Sequence, residues 1–184
     1  GLESRGLGDV YKRQVLTNDL EKEKDQAFDQ LNLFKDLGAS CLAYGETAGT
    51  IQNVRHAALD TKIKIHHEDF KEYGKKLTAF AEYCAEFNMP ISFHHHMGTA
   101  IETEEELDNL MNNTGEAVQL LFDTGHMTFA RGNSLNVIKK YAKRINHVHT
   151  KDIRSEVINS LDKSNESFLD AVLKGAFTVP GDGN

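Results

Sequence analysis

Several histidines and one aspartate of this 184-residue chain stand in short groups rather than singly. Three segments, HHHMGT, DTGH and HVHTKD, together contain His94, His95, His96, Asp123, His126, His147 and His149. Imidazole nitrogens combined with a carboxylate oxygen suit Mn, Co, Fe or Zn, and do not suit calcium or a thiolate-preferring ion. Histidine also transfers protons near neutral pH. These residue types therefore predict a metal or catalytic site.

The spacing of the histidines indicates which of them act together. Side chains alternate across a strand, so His94 and His96 are expected on one face and His95 on the other. The same alternation places His147 and His149 on a common face. A single histidine is more often structural than a ligand, and this is the interpretation for His95 and His147. Similar groups at three successive strand ends favour one shared site.

Three acidic residues have a second interpretation. Asp123 can instead cap the turn that follows it. Asp152 can simply pair with Lys151 or Arg154. On local evidence, Glu46 fits an acid of a surface loop slightly better than a substrate contact.

Hydrophobic periodicity predicts alternating helices and strands around these groups. Helices are expected at residues 18–37 and 68–88, after a capping box at Thr103 and Glu106, after a cap at Ser134, and at residues 167–174. Strands are expected at residues 40–46, 91–96, 118–123 and 145–150. Residues 47–67 are expected to form a long loop, and a glycine-containing loop should follow Asp123. Long loops in compact domains are usually functional.

This order is typical of a parallel α/β fold, either an open doubly wound sheet or a closed barrel. A glycine-rich phosphate loop would favour the doubly wound sheet, but the sequence contains none. Each of four predicted strands ends in groups that can do chemistry, as in a (β/α)8 TIM barrel, whose active site collects the carboxyl ends of its strands. A full barrel needs about 250 residues. The sequence therefore predicts a partial TIM barrel that lacks units at both ends.

Composition narrows the classes of function. Residues 1–14 look foreign, because DVYKRQ resembles a translated sequencing-library transposon end, so the domain is expected at residues 15–184. Without the three basic and two acidic residues of that leader, the net charge of −7 becomes about −8, which disfavours nucleic-acid binding. Two cysteines make no disulfide framework, and no membrane span or secretory signal is visible, so a reducing cytoplasm is expected.

Four segments resemble those of the inosose dehydratases, which belong to the xylose-isomerase-like barrels of the sugar phosphate isomerase and epimerase superfamily. They are HHHMGT, LLFDTGH, HVHTKDIR and FTVPGDG. DTGH and HVHxKD occur widely in the superfamily, whereas the triple histidine before GT and the closing TVPGDG point more narrowly to the dehydratases. The resemblance implies a hydro-lyase that converts 2-keto-myo-inositol to a trihydroxycyclohexane-1,2-dione and water, in myo-inositol catabolism.

The resemblance also implies a set of metal ligands, namely His94, Asp123 and His149. The superfamily has a glutamate where this chain has His94 or His95, and His94 is chosen because it shares a strand face with His96. A fourth ligand, a glutamate on the last strand of relatives, would lie beyond Asn184. The metal is expected to be Mn or Co.

Four residues are predicted to act on the substrate. His126 or His96 would transfer a proton, while Lys151 and Glu46 would orient hydroxyl groups. The implied partner is a small cyclic keto-polyol, with neither nucleic acid nor a membrane, and a homo-oligomer is compatible with the family. The family resemblance also implies glutathione as a cofactor, but the sequence shows no recognisable site for it.

Three other interpretations stay open. A keto-sugar isomerase or epimerase would use the same metal without loss of water. A metal-dependent phosphoesterase acting on DNA would need more ligands and a basic groove. The chain could also be an inactive fragment, because terminal strands are missing.

Overall fold

A computed structural model describes residues 11–184 of the chain. Its strands are β1 (Tyr11–Arg13), β2 (Leu42–Glu46), β3 (Ile91–His94), β4 (Val118–Asp123), β5 (Ile145–His149), β6 (Asp152–Ile153) and β7 (Phe177–Thr178). Its α-helices are α1 (Leu20–Asp36), α2 (Phe70–Glu86), α3 (Glu104–Asn112), α4 (Thr124–Phe129), α5 (Ser134–Tyr141), α6 (Ser155–Ser160) and α7 (Phe168–Leu173). Short 3-10 turns lie at Leu59–Thr61, His67–Asp69 and Ala142–Arg144.

The first five strands form one parallel sheet in the order β1-β2-β3-β4-β5. A doubly wound sheet reverses its strand order at a switch point, whereas a barrel wall adds each new strand beside the previous one. The sequential order therefore decides between the two predicted architectures and identifies part of a (β/α) barrel. Strands β6 and β7 form a separate antiparallel pair, which the sequence analysis did not predict.

The predicted leader overlaps the start of this sheet. Residues 1–10 lie outside the described residues, but Tyr11–Arg13 pair with β2 as its edge strand. A parallel ladder uses only backbone groups, which any sequence supplies. The boundary at residue 14 therefore stays a prediction.

The two faces of the sheet have different occupants. Tyr44 of β2 pairs with Phe93 of β3, their rings lie 5.5 Å apart, and Tyr44 also contacts Phe80 of α2 at 5.9 Å. This face carries the main apolar core, to which Phe122 of β4 also belongs. Because side chains alternate, His94 of β3 lies on the opposite face of the sheet.

A second, smaller core forms from segments that follow the strands. It contains Leu59, Met97, Phe129, Ile153, Ile158, Phe168, Ala171 and Ala176. The long loop at residues 47–67 is confirmed and joins this core through Leu59, whose N–H donates to the carbonyl of Glu166 at 3.0 Å. The loop thus packs at the end of the barrel wall where the predicted site lies.

Most predicted elements are confirmed, with shifted ends. The segment after Asp123, predicted as a loop, is helix α4, and the cap of α5 is Asn133 rather than Ser134. The capping box of Thr103 and Glu106 is present. Strand β3 ends at His94, so His95 and His96 follow it. Helix α4 escaped prediction because it begins directly at the strand end and has only six residues, too few to show a period.

No helix of the described chain is long and apolar enough to cross a membrane. Both cysteines, Cys41 and Cys84, are free, as the sequence predicted.

Candidate metal centre and catalytic cluster

Asp123 is the central residue of the candidate site. It ends β4, and its side chain is fully buried. The carboxylate oxygen Oδ1 accepts the backbone N–H of His126 at 3.0 Å, so Asp123 caps helix α4. A cap at the turn after Asp123 was one of the two interpretations that the sequence allowed. This leaves Oδ2 for other groups.

Four side chains converge on Oδ2 of Asp123. The nearest nitrogens of three histidines lie at 3.2 Å (His94 Nε2), 3.4 Å (His149 Nδ1) and 4.0 Å (His126 Nε2). The ammonium of Lys151 forms a direct ion pair with the same oxygen. Strand register produces the arrangement, because Asp123 pairs with His149 and the neighbouring His94 pairs with Leu121. The three predicted ligands are thus brought together.

The electrostatics of the cluster favour a cation. Burial raises the pKa of Asp123, but hydrogen bonds from His149 and His94 outweigh this and hold the pKa well below its ordinary value. Burial lowers the pKa of His94 and, more strongly, that of His126, so both imidazoles are neutral at pH 7. An ionised carboxylate beside neutral imidazoles is the form that binds a divalent metal.

The donor atoms also have a suitable separation. Ligand atoms of His94, Asp123 and His126 all lie within 4.8 Å of one another. Lys151 already places a positive charge against Oδ2 of Asp123. A mixed nitrogen and oxygen set of this kind fits Mn, Co, Fe or Zn. His126, predicted as a proton-transfer residue, therefore also lies within reach of a cation held by His94 and Asp123.

Hydrogen bonds assign different protonation to His96 and His126. Nδ1 of His96 lies 2.7 Å from the carbonyl of Met97 and must donate to it, which leaves Nε2 with a free lone pair. Nδ1 of His126 accepts the N–H of Met97 at 3.4 Å, so its proton is on Nε2. The two rings lie against each other with centroids 3.7 Å apart. Burial lowers the pKa of His96 to about 4, which keeps it an unprotonated base at pH 7.

The two histidines predicted as bystanders lie apart from Oδ2. His95 contacts the ring of Phe122, and its Nε2 accepts the backbone N–H of Asp123 at 3.1 Å. Burial lowers the pKa of His95 to about 3. His147 is exposed, and its ring lies 5.4 Å from that of His149.

The comparison with known protein families agrees with this geometry. Residues 15–184 match the family described as xylose isomerase-like TIM barrel. The chain belongs to this family. The predicted fold class, part of an α/β TIM barrel of the xylose-isomerase-like type, is therefore confirmed by strand order and by family.

Curated relatives of this xylose isomerase-like chain include several inosose dehydratases. The rhizopine catabolism protein MocC of Rhizobium meliloti is 44% identical over 96% of this chain and 53% of its own length. Inosose dehydratases of Klebsiella pneumoniae and Clostridium perfringens are 40% and 38% identical, over 89% and 97% of this chain and 56% and 61% of their own lengths. The resemblance noted in the sequence is confirmed. The chain spans little more than half the length of these relatives.

Solved structures with the same fold are more distant in sequence. A fusion protein of a xylose isomerase-like TIM barrel with 4-hydroxyphenylpyruvate dioxygenase superposes with a TM-score of 0.67 at 16% identity, over 96% of this chain and 25% of that chain. The IolI protein, whose structure holds a zinc atom, superposes with a TM-score of 0.54 at 19% identity, over 85% of this chain and 58% of its own. Both support the barrel fold.

Glu46, predicted to orient substrate hydroxyls, lies away from the cluster in this barrel. It is two residues from Tyr44 and therefore shares the helix-facing side of β2, whereas His94 lies on the other side. Its Oε2 accepts from the hydroxyls of Tyr44 (2.9 Å) and Tyr73 (3.1 Å) and from the N–H of Leu16 (3.0 Å). Its Oε1 accepts the N–H of Ala48 at 3.0 Å. The position corrects the prediction, because protein donors already occupy both oxygens on the wrong face of the sheet.

Three residues that sequence reasoning missed position the xylose isomerase-like site. Met97 orients His96 and His126 through its backbone carbonyl and amide. Thr124 Oγ1 donates to the carbonyl of Lys151 at 2.8 Å and accepts its N–H at 3.1 Å. A Cβ on Gly125 would lie 2.7 Å from Cβ of Lys151, so only glycine permits this approach. The DTGH motif contained the last two, but their partner, Lys151, is 27 residues from Thr124 along the chain.

Proposed function

We propose that this chain is the metal-binding part of an inosose dehydratase, a hydro-lyase that converts 2-keto-myo-inositol to a trihydroxycyclohexane-1,2-dione and water. The observation that carries the proposal is the convergence of His94, His149 and Lys151 on one carboxylate oxygen of Asp123. Inosose dehydratases at 38–40% identity support the choice of reaction.

His94, Asp123 and His149 are the proposed ligands of a divalent ion, with Mn or Co as the first choices. When bound, such an ion supplies a Lewis acid that polarises the substrate carbonyl and makes the neighbouring C–H more acidic. His126 is left out of the set because its Nδ1 accepts from Met97 and its Nε2, at 4.0 Å, lies farther from Oδ2 of Asp123 than the nitrogens of His94 and His149. The zinc of IolI shows that a protein of this fold holds a transition metal.

His96 is the proposed general base. Its Nε2 has a free lone pair, and the donation from Nδ1 to the Met97 carbonyl fixes the orientation of the ring. After it takes the carbon-bound proton, His96 is an imidazolium, which is a better acid than the neutral His126. The same ring then returns the proton to the departing hydroxyl, so the elimination is balanced and water leaves.

His126 and Lys151 are proposed to hold substrate oxygens during this elimination. The Nε2–H of His126 is a neutral hydrogen-bond donor next to Asp123. The Lys151 side chain is about one-third exposed, 34%, so its ammonium can turn from Asp123 to a bound hydroxyl. Glu46 has no part in the proposal. Glutathione and a homo-oligomer remain predictions from family resemblance.

The test is product analysis with the chain extended to the length of its relatives. With 2-keto-myo-inositol and Mn²⁺ or Co²⁺, the dione should form, and a metal chelator should abolish its formation. An isomeric keto-polyol with no loss of water would replace the proposal by an isomerase or epimerase. The His96→Gln variant should lose product formation but keep metal binding, since His96 is not a proposed ligand.

A second candidate substrate follows from the 44% identity to the rhizopine catabolism protein MocC, which exceeds the identity to the dehydratases just named. The same elimination would then act on a compound derived from a rhizopine. Parallel assays of both substrates decide between them: a higher kcat/KM for the rhizopine-derived compound would favour this second candidate.

A further inference from the structure

His95 has an unusual environment for a residue without a role in the proposed chemistry. It follows β3 directly, its exposed surface is 0%, and its ring packs against Phe122. One ring nitrogen, Nε2, accepts the backbone N–H of Asp123 at 3.1 Å. The other ring nitrogen, Nδ1, has no hydrogen-bond partner in the described structure.

Packing does not explain a histidine at this position. Because Nε2 accepts a hydrogen bond, the proton must be on Nδ1, and a buried N–H without a partner destabilises the folded state. A phenylalanine would fill similar space beside Phe122 without that cost. What a histidine supplies, and an apolar ring does not, is an acceptor for the Asp123 N–H.

That one acceptor completes the restraint of Asp123. Oδ1 is held by the N–H of His126 at 3.0 Å, and the backbone nitrogen is held by His95. Fixed at both points, the residue presents Oδ2 to His94 and His149. Partners that orient a ligand from behind typically change metal affinity 10- to 100-fold when removed.

We propose that His95 is a positioning residue for Asp123, which fixes the backbone of the metal-binding carboxylate through its Nε2 acceptor. The proposal rests on the proposed function in so far as Asp123 is taken as a metal ligand. It gives His95, the member of the histidine run that faces away from the site, a specific role there.

The first experiment compares metal affinities of the purified chain by calorimetric titration with Mn²⁺. His95→Phe removes the acceptor and should weaken binding by about tenfold or more. His95→Gln offers an amide oxygen in a similar place and should stay within about threefold of the parent, since the acceptor and not the ring carries the role. His66→Phe, at an exposed histidine outside the cluster, is the matched control and should leave affinity unchanged.

Unchanged affinity in His95→Phe, or an equal loss in His95→Gln and His95→Phe, would overturn the proposal. The thermal midpoints of the metal-free variants are compared alongside. A loss of Mn²⁺ affinity only in proportion to a lower midpoint would assign His95 a general structural role instead.

A second experiment does not depend on metal or on the variants folding. Nitrogen-15 NMR of the imidazole rings in the metal-free chain should show His95 with its proton on Nδ1 and a bare Nε2. A proton on Nε2 would contradict the proposal whatever the metal does. If the parent chain binds no Mn²⁺ but His95 has this tautomer, the proposed metal function fails while the hydrogen bond to Asp123 stands.

Discussion

Two buried carboxylates end strands β2 and β4 of one parallel sheet, and their surroundings differ. Asp123 lies on the face away from the helices, and its Oδ2 meets imidazoles and an ammonium. Glu46 lies on the helix-facing side, where two tyrosine hydroxyls and two backbone amides satisfy it. Burial raises the pKa of Glu46, whereas hydrogen bonds from His149 and His94 overcome burial and lower that of Asp123.

The difference teaches that the end of a barrel strand is not by itself a functional position. An acidic side chain there faces either the interior of the barrel or the layer of helices. Which of the two it faces depends on its position in the alternation of side chains along the strand. Neutral donors around Glu46 make a structural junction between β2, Leu16 and α2. An ammonium and three imidazoles around Asp123 make the candidate metal centre.

The largest expected effect is the loss of metal binding in Asp123→Asn. Asparagine can still cap α4 through its side-chain oxygen, but it lacks the charge that attracts a cation. Mn²⁺ affinity measured by calorimetry should fall at least about a hundredfold, or roughly 2.8 kcal/mol. Glu46→Gln is the matched control and should retain the parent's affinity. A similar loss in both variants would erase the distinction between the two carboxylates.

A reciprocal effect on stability is expected for Glu46→Ala. The change leaves buried hydroxyls of Tyr44 and Tyr73 without their acceptor, so the free energy of unfolding should drop by about 2–4 kcal/mol. Urea denaturation measures this loss. Metal affinity should not change in the folded fraction. A variant as stable as the parent would show that the junction around Glu46 contributes nothing to the fold.

A smaller effect, of opposite sign, is expected for Lys151→Met. The lysine ammonium and a metal ion compete for Oδ2 of Asp123, and methionine keeps the length of the side chain without the charge. Mn²⁺ affinity should therefore rise by about tenfold, or roughly 1.4 kcal/mol, because the metal ion no longer has to displace the ammonium from the carboxylate oxygen. Turnover in the extended protein should fall. Weaker binding in Lys151→Met would mean that the lysine supports the metal rather than competing with it.

The smallest effect concerns pH. The pKa of Glu46 is raised in the folded chain, so its contribution to stability is fully present below the unfolded pKa and is lost as pH rises through the folded value. The stability of the parent relative to Glu46→Gln should therefore decline as pH rises above about 4. Denaturation curves at several pH values measure this difference. A constant difference would show that Glu46 titrates as it does in the unfolded chain.

The sequence predicted the barrel wall well because its determinants are local. The periodicity around Leu77 and Phe80 defines α2, and short apolar runs ending in polar residues define the strands. His94, Asp123 and His149 could be singled out for the same reason, because each lies at the end of a strand. Their choice as metal ligands came from the family resemblance and stays a prediction. Parallel pairing then brings strand ends together without further information.

What the sequence did not reveal depends on register and on contacts between distant segments. The face of β2 on which Glu46 lies could have been predicted from the sequence. The large Tyr44, two residues earlier, indicates the core side of the strand, and the small Ala43 and Gly45 indicate the other side. The hydrogen bond from the Asp123 N–H to His95 could not be predicted, because it depends on how far β3 and β4 extend past each other. Helix α4 likewise had too few residues to show a period.

Asp123 uses its two oxygens for two different tasks, one on the N-terminus of α4 and one on the charged cluster. The two tasks are thermodynamically linked through one side chain. Any local opening of α4 would release the carboxylate, and any ion that holds Oδ2 would in turn oppose that opening. Binding of an ion at Oδ2 is therefore expected to reduce the local opening of α4 before that of other segments.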